Sequence, residues 1–195
     1  MEQFQRLSEA LHWINATLLQ IERFVEGFLL LAESDAKDAT IVTADAHFLL
    51  NACAQAEKAL HRAGKPVPAS QRTTIRSLRD VHEHWDRHKE TFESKRNAKT
   101  RAGKRFSDAH PEHLPWSFRF DATGTFISAL NLEDLWAELT SLESSLVGEL
   151  VTLAEPLGVQ ALSAVRAELP FPRRESKALG MAMVTQNIVL DFDNP

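Results

Sequence analysis

The sequence predicts an all-α fold: an antiparallel helical bundle of four main helices with a short β-hairpin insertion. Three observations predict it. Apolar residues recur at spacings of three and four over several long stretches, the signature of a helix with one buried face. Prolines are absent from those stretches and sit between them. One short stretch, about 116–128, instead alternates apolar and polar residues around a Thr-Gly turn. A chain of 195 residues suits one domain, or one domain with an appendage. The reading is a helical domain over 1–169, with the hairpin at about 116–128, and an extended or poorly ordered tail over 170–195.

Phe4, Leu7, Leu11, Ile14, Leu18, Ile21, Val25 and Phe28 form a heptad-like seam, and Ala32 keeps its register. Leu29, Leu30 and Leu31 widen the seam, so that end is expected to be buried on more than one side. Residues 33–38 are polar and acidic and read as a loop. Thr43 is expected to cap a second helix, with Asp45 near its positive end. The apolar face of that helix is Leu49, Cys53, Ala56 and Leu60, with Phe48 and Ala52 beside it, and Gly64, Pro66 and Pro68 end it. Cys53 is the only cysteine, which excludes an internal disulfide and a cysteine zinc cluster and suggests a reducing, cytoplasmic setting. Its place on an apolar face suggests packing rather than nucleophilic chemistry.

Ser70 is expected to cap a third helix, whose stripe is Ile75, Leu78, Val81, Trp85 and Phe92. Against the stripe sit Arg79, Asp80, His82, Glu83, His84, Asp86 and His88. A basic run follows, Lys95, Arg96, Lys99, Arg101, Lys104 and Arg105, and Gly103 and Pro111 argue against further helix. Phe118, Phe120 and Phe126 mark the hairpin, which needs the helices for support because a lone hairpin is marginal. Asn131 caps the fourth helix, with Glu133 and Asp134 in its first turn. Leu132, Leu135, Leu139, Leu142, Leu146, Leu150 and Leu153 keep helical spacing, Trp136 adds bulk, and Pro156 and Gly158 stop the helix. Leu162, Val165 and Leu169 suit a further short amphipathic helix.

A net charge of −5 argues against a generally basic, polyanion-binding surface but leaves room for a local basic patch. No run of 18 apolar residues and no signal-peptide pattern is present, so neither secretion nor a membrane span is expected.

Chemistry concentrates in the third helix. Arg79-Asp80-Val81-His82-Glu83-His84 resembles the RxxxxH motif of HEPN-domain proteins, small helical bundles that often act as RNases. The surrounding RDVHEHWD also resembles the Arg-polar-x-x-Glu-His-aromatic-Asp strings of bacterial HEPN-like proteins. The resemblance implies a metal-independent endoribonuclease of a toxin or phage-defence kind, without a cofactor. It also implies a homodimer with its cleft between protomers, and a protein antitoxin as a possible partner. In that reading His84 is the base that takes the 2′-OH proton, and Arg79 holds the phosphate with a fork suited to its oxygens. Asp80 would fix Arg79, and Glu83 or Asp86 would orient a histidine. Lys95, Arg96, Lys99, Arg101, Lys104 and Arg105 would draw RNA phosphates toward the site. Phe106, Trp116 and Phe118 are candidates to stack on bases, or else hairpin core.

The chain departs from the resemblance in two respects. One group in the family carries Tyr two residues after the His, where an antitoxin modifies it. Here that position is Asp86 and the chain has no Tyr. On a regular helix, five residues place Arg79 and His84 about 140° apart, so either a two-fold dimer pairs Arg79 of one chain with His84 of the other or their long side chains converge over a cleft. Other readings of the same residues stay open. Arg79, Glu83, Asp86 and Glu90 share a side and suit a solvated face. The whole would then be a non-catalytic helical domain that binds a protein or RNA. His84 with His88, and His82 with Asp86, are spaced to chelate, but no third ligand follows from spacing, so no metal is assigned.

Overall fold

The computed structural model describes residues 2–33, 40–68, 72–83, 108–110, 112–113, 117–158 and 188–190. These residues are mostly helical. The helices are α1 (Glu2–Glu33), α2 (Thr40–Arg62), α3 (Arg72–Glu83) and α4 (Leu132–Ala154). A 3-10 turn over Glu155–Leu157 follows α4. The strands are β1 (Phe118–Asp121), β2 (Gly124–Ile127), β3 (Leu130–Asn131) and β4 (Ile188–Leu190).

The α1 seam is the spine of the core. Leu7, Leu11, Ile14, Leu18, Ile21, Val25 and Phe28 are all fully buried, and Phe24 and Ala10 join them. α1 packs along α2 and against α4, and α2 also carries α3. Ala46, Ala52, Ala56 and Ala59 of α2 are buried, and their small side chains let α2 lie close to its neighbours. Gly64 ends α2 in the left-handed region at φ 68°. There the Lys65 N–H donates to Leu60 O at 2.9 Å and the Gly64 N–H to His61 O at 3.1 Å. Those two bonds form the Schellman closure that a glycine at this position permits.

Four details of the helices differ from the sequence reading. α2 begins at Thr40, so Thr43 lies inside its first turn rather than capping it. Asp45 does not face the helix terminus but is buried and accepts a bond from Arg23 Nη2 at 3.1 Å. Phe48 and Leu30 point outward, at 57% and 68% exposure, because each falls on the far side of its helix from the seam. His82 is buried with Ile75, Leu78 and Val81 rather than on the polar face. It stands four residues after Leu78 and therefore shares that side.

Residues 118–131 form a compact meander. β1 pairs antiparallel with β2 in the register Phe118↔Ile127 to Asp121↔Gly124, and β3 pairs with β2. The sheet has a fourth strand, in the order β3-β2-β1-β4. β4 falls in the stretch expected to be an extended or poorly ordered tail, and it pairs antiparallel with β1 through Phe118↔Leu190 and Phe120↔Ile188. Its Ile-Val-Leu composition has the β-branched, apolar character that suits a strand.

The sheet is tied to α4 at its first turn. Asn131 Oδ1 accepts from the Glu133 and Asp134 N–H groups at 3.0 and 3.1 Å, capping the helix. Glu133 Oε2 reaches back to accept from Thr125 N–H at 2.7 Å. Gly124, at φ 132°, makes room for that carboxylate: a Cβ there would meet Glu133 Oε2 at 2.4 Å. Asn131→Ala is expected to destabilise the fold by about 1 kcal/mol, read as a lower urea midpoint. An unchanged midpoint would mean the cap contributes nothing.

Ser70, the loop over 34–38, Trp85, Phe92, Phe106, Trp116 and the short helix proposed around Leu162, Val165 and Leu169 lie outside the described residues. Among the described residues no helix is long and apolar enough to cross a membrane.

Candidate functional site

The polar face of α3 does not simply meet solvent. Arg72, Arg76 and Arg79 follow one another at spacings of four and three, so they line one side of the helix. That side faces α2, where Glu57, Lys58, His61 and Arg62 occupy two successive turns. Together with Ala54 and Asp80 these side chains line an open groove of about 630 Å³. Five cations and two carboxylates meet there in a chain whose net charge is −5.

Glu57 organises the groove. Its Oε1 accepts from Arg72 Nε at 2.7 Å and from Arg76 Nη2, and its Oε2 accepts from Arg76 Nε at 3.1 Å. Partial burial alone would push the Glu57 carboxyl up, but the hydrogen bonds and charge of Arg76 and Arg72 outweigh it and hold it below the usual glutamate range. The same bond to Glu57 is the main reason that the Arg76 guanidinium holds its proton more firmly than usual. A carboxyl depressed in the folded state contributes stability at neutral pH that is lost as pH falls through its folded value. Acid denaturation of the wild type should therefore include a component below the ordinary glutamate range that Glu57→Gln lacks. Identical acid profiles for the two proteins would show that the bridge contributes no pH-dependent stability.

Arg79 stands at the α3 end of the groove. Its Nη2 donates to Asp80 Oδ1 at 2.8 Å, and its Nε lies 3.5 Å from Glu83 Oε1. Both partners are ones the sequence placed beside it. Asp80 is thus hydrogen-bonded to Arg79, and Glu83 is engaged with the same guanidinium. The groove itself was not foreseen: Arg72, Arg76, Glu57, Lys58 and Arg62 were not among the candidate residues. The available signal was the four-three spacing of the arginines together with Lys58 and Arg62 at i and i+4.

His84, Asp86 and His88 lie outside the described residues, as do Lys95, Arg96, Lys99, Arg101, Lys104 and Arg105. The structure therefore brings Arg79, Asp80 and Glu83 together, buries Phe118 in the core rather than leaving it to stack on bases, and does not describe His84, Asp86 or the basic run.

Two further features bear on chemistry. Cys53 is buried and that burial pushes its thiol up to about 12, which makes it a packed hydrophobe rather than a nucleophile. It lines a cavity of about 20 Å³ beneath Thr17, Leu60 and Leu139, with room for little more than a water. His110 Nε2 lies 3.1 Å from the Thr74 hydroxyl on α3, and the His113 ring is 6.4 Å from that of His110. Burial first, and then the neighbouring positive charge, hold both imidazoles below the usual histidine range. Among the described residues no group of three or more metal-binding side chains is assembled.

No protein-family model matches this chain, and neither a curated protein nor a solved structure matches it.

Proposed function

We propose that this chain is a HEPN-like, metal-independent endoribonuclease of a toxin or phage-defence type. The observation that carries the reading is the position of Arg79, the first residue of the RxxxxH string. Its guanidinium opens onto a groove rich in cations and is oriented by Asp80 at 2.8 Å. A guanidinium held in this way can receive a phosphate and stabilise charge on its oxygens. His84 is the base in this reading, and the 2′-oxygen it frees attacks the adjacent phosphorus, so the products carry a 2′,3′-cyclic phosphate and a 5′-hydroxyl. The reading takes the helices as an antiparallel bundle with β1 and β2 as its inserted hairpin, working in the cytoplasm as a homodimer. The run from Lys95 to Arg105 guides RNA, and a protein antitoxin restrains the enzyme.

A second reading, a non-catalytic domain that binds RNA or a protein, is favoured by one observation. Arg79 already faces two carboxylates, Asp80 and Glu83, as it would on an ordinary solvated helix. Incubating the purified chain with mixed cellular RNA in EDTA separates the two. Cleavage with cyclic-phosphate ends supports the ribonuclease. Intact RNA across several classes supports the second reading, and cleavage only with a divalent ion overturns the metal-free mechanism.

A further inference from the structure

The α2–α3 groove contains a cationic element that the Arg79–His84 chemistry does not use. A single carboxylate, Glu57, is shared by two guanidiniums, so the cluster carries surplus positive charge. Lys58 and Arg62 add to it from α2, and Arg62 is partly offset by Glu9 at 2.8 Å. Geometry matters more than the sum. Glu57 engages Arg72 through Nε and Arg76 through Nε and Nη2. Among the described residues, the Nη groups of Arg72 and Nη1 of Arg76 are left free to donate elsewhere. The Arg72 and Arg76 side chains are 43% and 53% exposed while Glu57 is 14% exposed, so the carboxylate lies below and the donors face the groove. A ligand oxyanion arriving there meets side chains whose rotamers are already fixed, which removes much of the ordering cost of binding.

We infer that the Arg72–Glu57–Arg76 clamp is a phosphate-binding site that holds the backbone of an RNA strand beside Arg79. The identity of the ligand as RNA rests on the ribonuclease reading; the clamp rests on the geometry. Arg72, Arg76 and Arg79 rise along α3 in steps of about 6 and 4.5 Å, an arrangement that can follow consecutive phosphates. Among the described residues no Phe or Trp lines the groove and His61 is its one ring, so its cations are placed to grip backbone rather than to read bases. Glu57 is a positioning residue here and touches no substrate.

The test is a fluorescence-anisotropy titration of the full chain with a short 2′-O-methyl oligouridine, which lacks the 2′-hydroxyl needed for self-cleavage. The R72Q/R76Q variant should bind roughly tenfold or more weakly, because two charge-assisted contacts are lost. Its salt slope should fall by about 1.4, at roughly 0.7 per phosphate contact on a single strand. The E57Q/R72Q/R76Q variant, which leaves no stranded carboxylate, should match it, with thermal melts confirming that both are folded. Losing two charges elsewhere, in K65Q/R119Q, should change affinity less than about threefold. The inference is overturned if the wild type does not bind the oligonucleotide, if R72Q/R76Q binds within about threefold of wild type with an unchanged slope, or if the control is weakened equally. A wild type that binds through Arg72 and Arg76 but never cuts RNA sinks the ribonuclease reading and leaves the clamp standing. A wild type that cuts RNA, with KM unchanged in R72Q/R76Q, does the reverse.

Discussion

His84→Ala is expected to abolish RNA cleavage, by a factor of about 10² to 10⁴, while leaving the melting temperature unchanged. That is the usual worth of a positioned general base. On the ribonuclease reading Arg79→Ala should lose a comparable factor, about 10² to 10³, because it would remove a donor to the charge that develops in the transition state. Its fold should survive, since Asp80 and Glu83 are 34% and 38% exposed and can be rehydrated once their partner is gone. Arg79→Lys should not restore activity, because an ammonium cannot reproduce the planar fork. Asp80→Asn should fall between wild type and Arg79→Ala, since it weakens the 2.8 Å bond that orients the guanidinium without removing it. The wild-type rate should rise with pH through the histidine range, near 6.5 for an ordinary imidazole, as the base deprotonates. The measurement is initial rates on a labelled RNA with EDTA present. If His84→Ala cuts as fast as wild type, His84 is not the base. If only Arg79→Ala is impaired, the arginine serves binding, and the second reading gains.

The elements that could be read from the sequence are those whose determinants are local. The α1 seam runs without a break from Leu7 to Phe28, so periodicity alone identifies it and its buried face. Asn131 with Glu133 and Asp134 behind it is a cap that needs no tertiary contact to be recognised. Where tertiary contact decides, the sequence misleads. Asp45 looks like a residue that complements a helix terminus, but its partner is Arg23, 22 positions earlier on α1. The β4 stretch reads only as extended or poorly ordered, because its pairing partner is β1, roughly 70 residues before it. The candidate site divides along the same line. Arg79, Asp80 and Glu83 are neighbours on one helix and could be grouped from spacing. Glu57 meets Arg72 and Arg76 only because α3 folds back on α2 across a connection that begins at Gly64, and no pattern within either helix announces that pairing. His82 illustrates a smaller error of the same origin, since a polar residue type was given a polar face while its register placed it with the core.

Phe118→Ala is expected to destabilise the protein by about 3 to 5 kcal/mol, a large share of the 5 to 15 kcal/mol typical of a domain. The ring is fully buried on β1, the strand flanked by β2 and β4. It meets Phe24 edge-on at 5.2 Å and Phe28 at 6.3 Å, and those two rings, one turn apart on α1, stack on each other at 6.0 Å. This aromatic triad is where the sheet meets the long helix. Truncation removes the transfer free energy of the ring, leaves a void that close-packed neighbours fill only in part, and deletes edge contacts worth about 0.5 to 1.5 kcal/mol each. Phe48→Ala is the comparison: at 57% exposure it should change stability by no more than about 0.5 kcal/mol. A double-mutant cycle between Phe118→Ala and Phe24→Ala should give a coupling of about 0.5 kcal/mol or more, because the two rings touch. Urea melts with unchanged m values would provide these figures. If Phe118→Ala costs no more than Phe48→Ala, the sheet is not held to α1 by this ring, and the helices are stable without it.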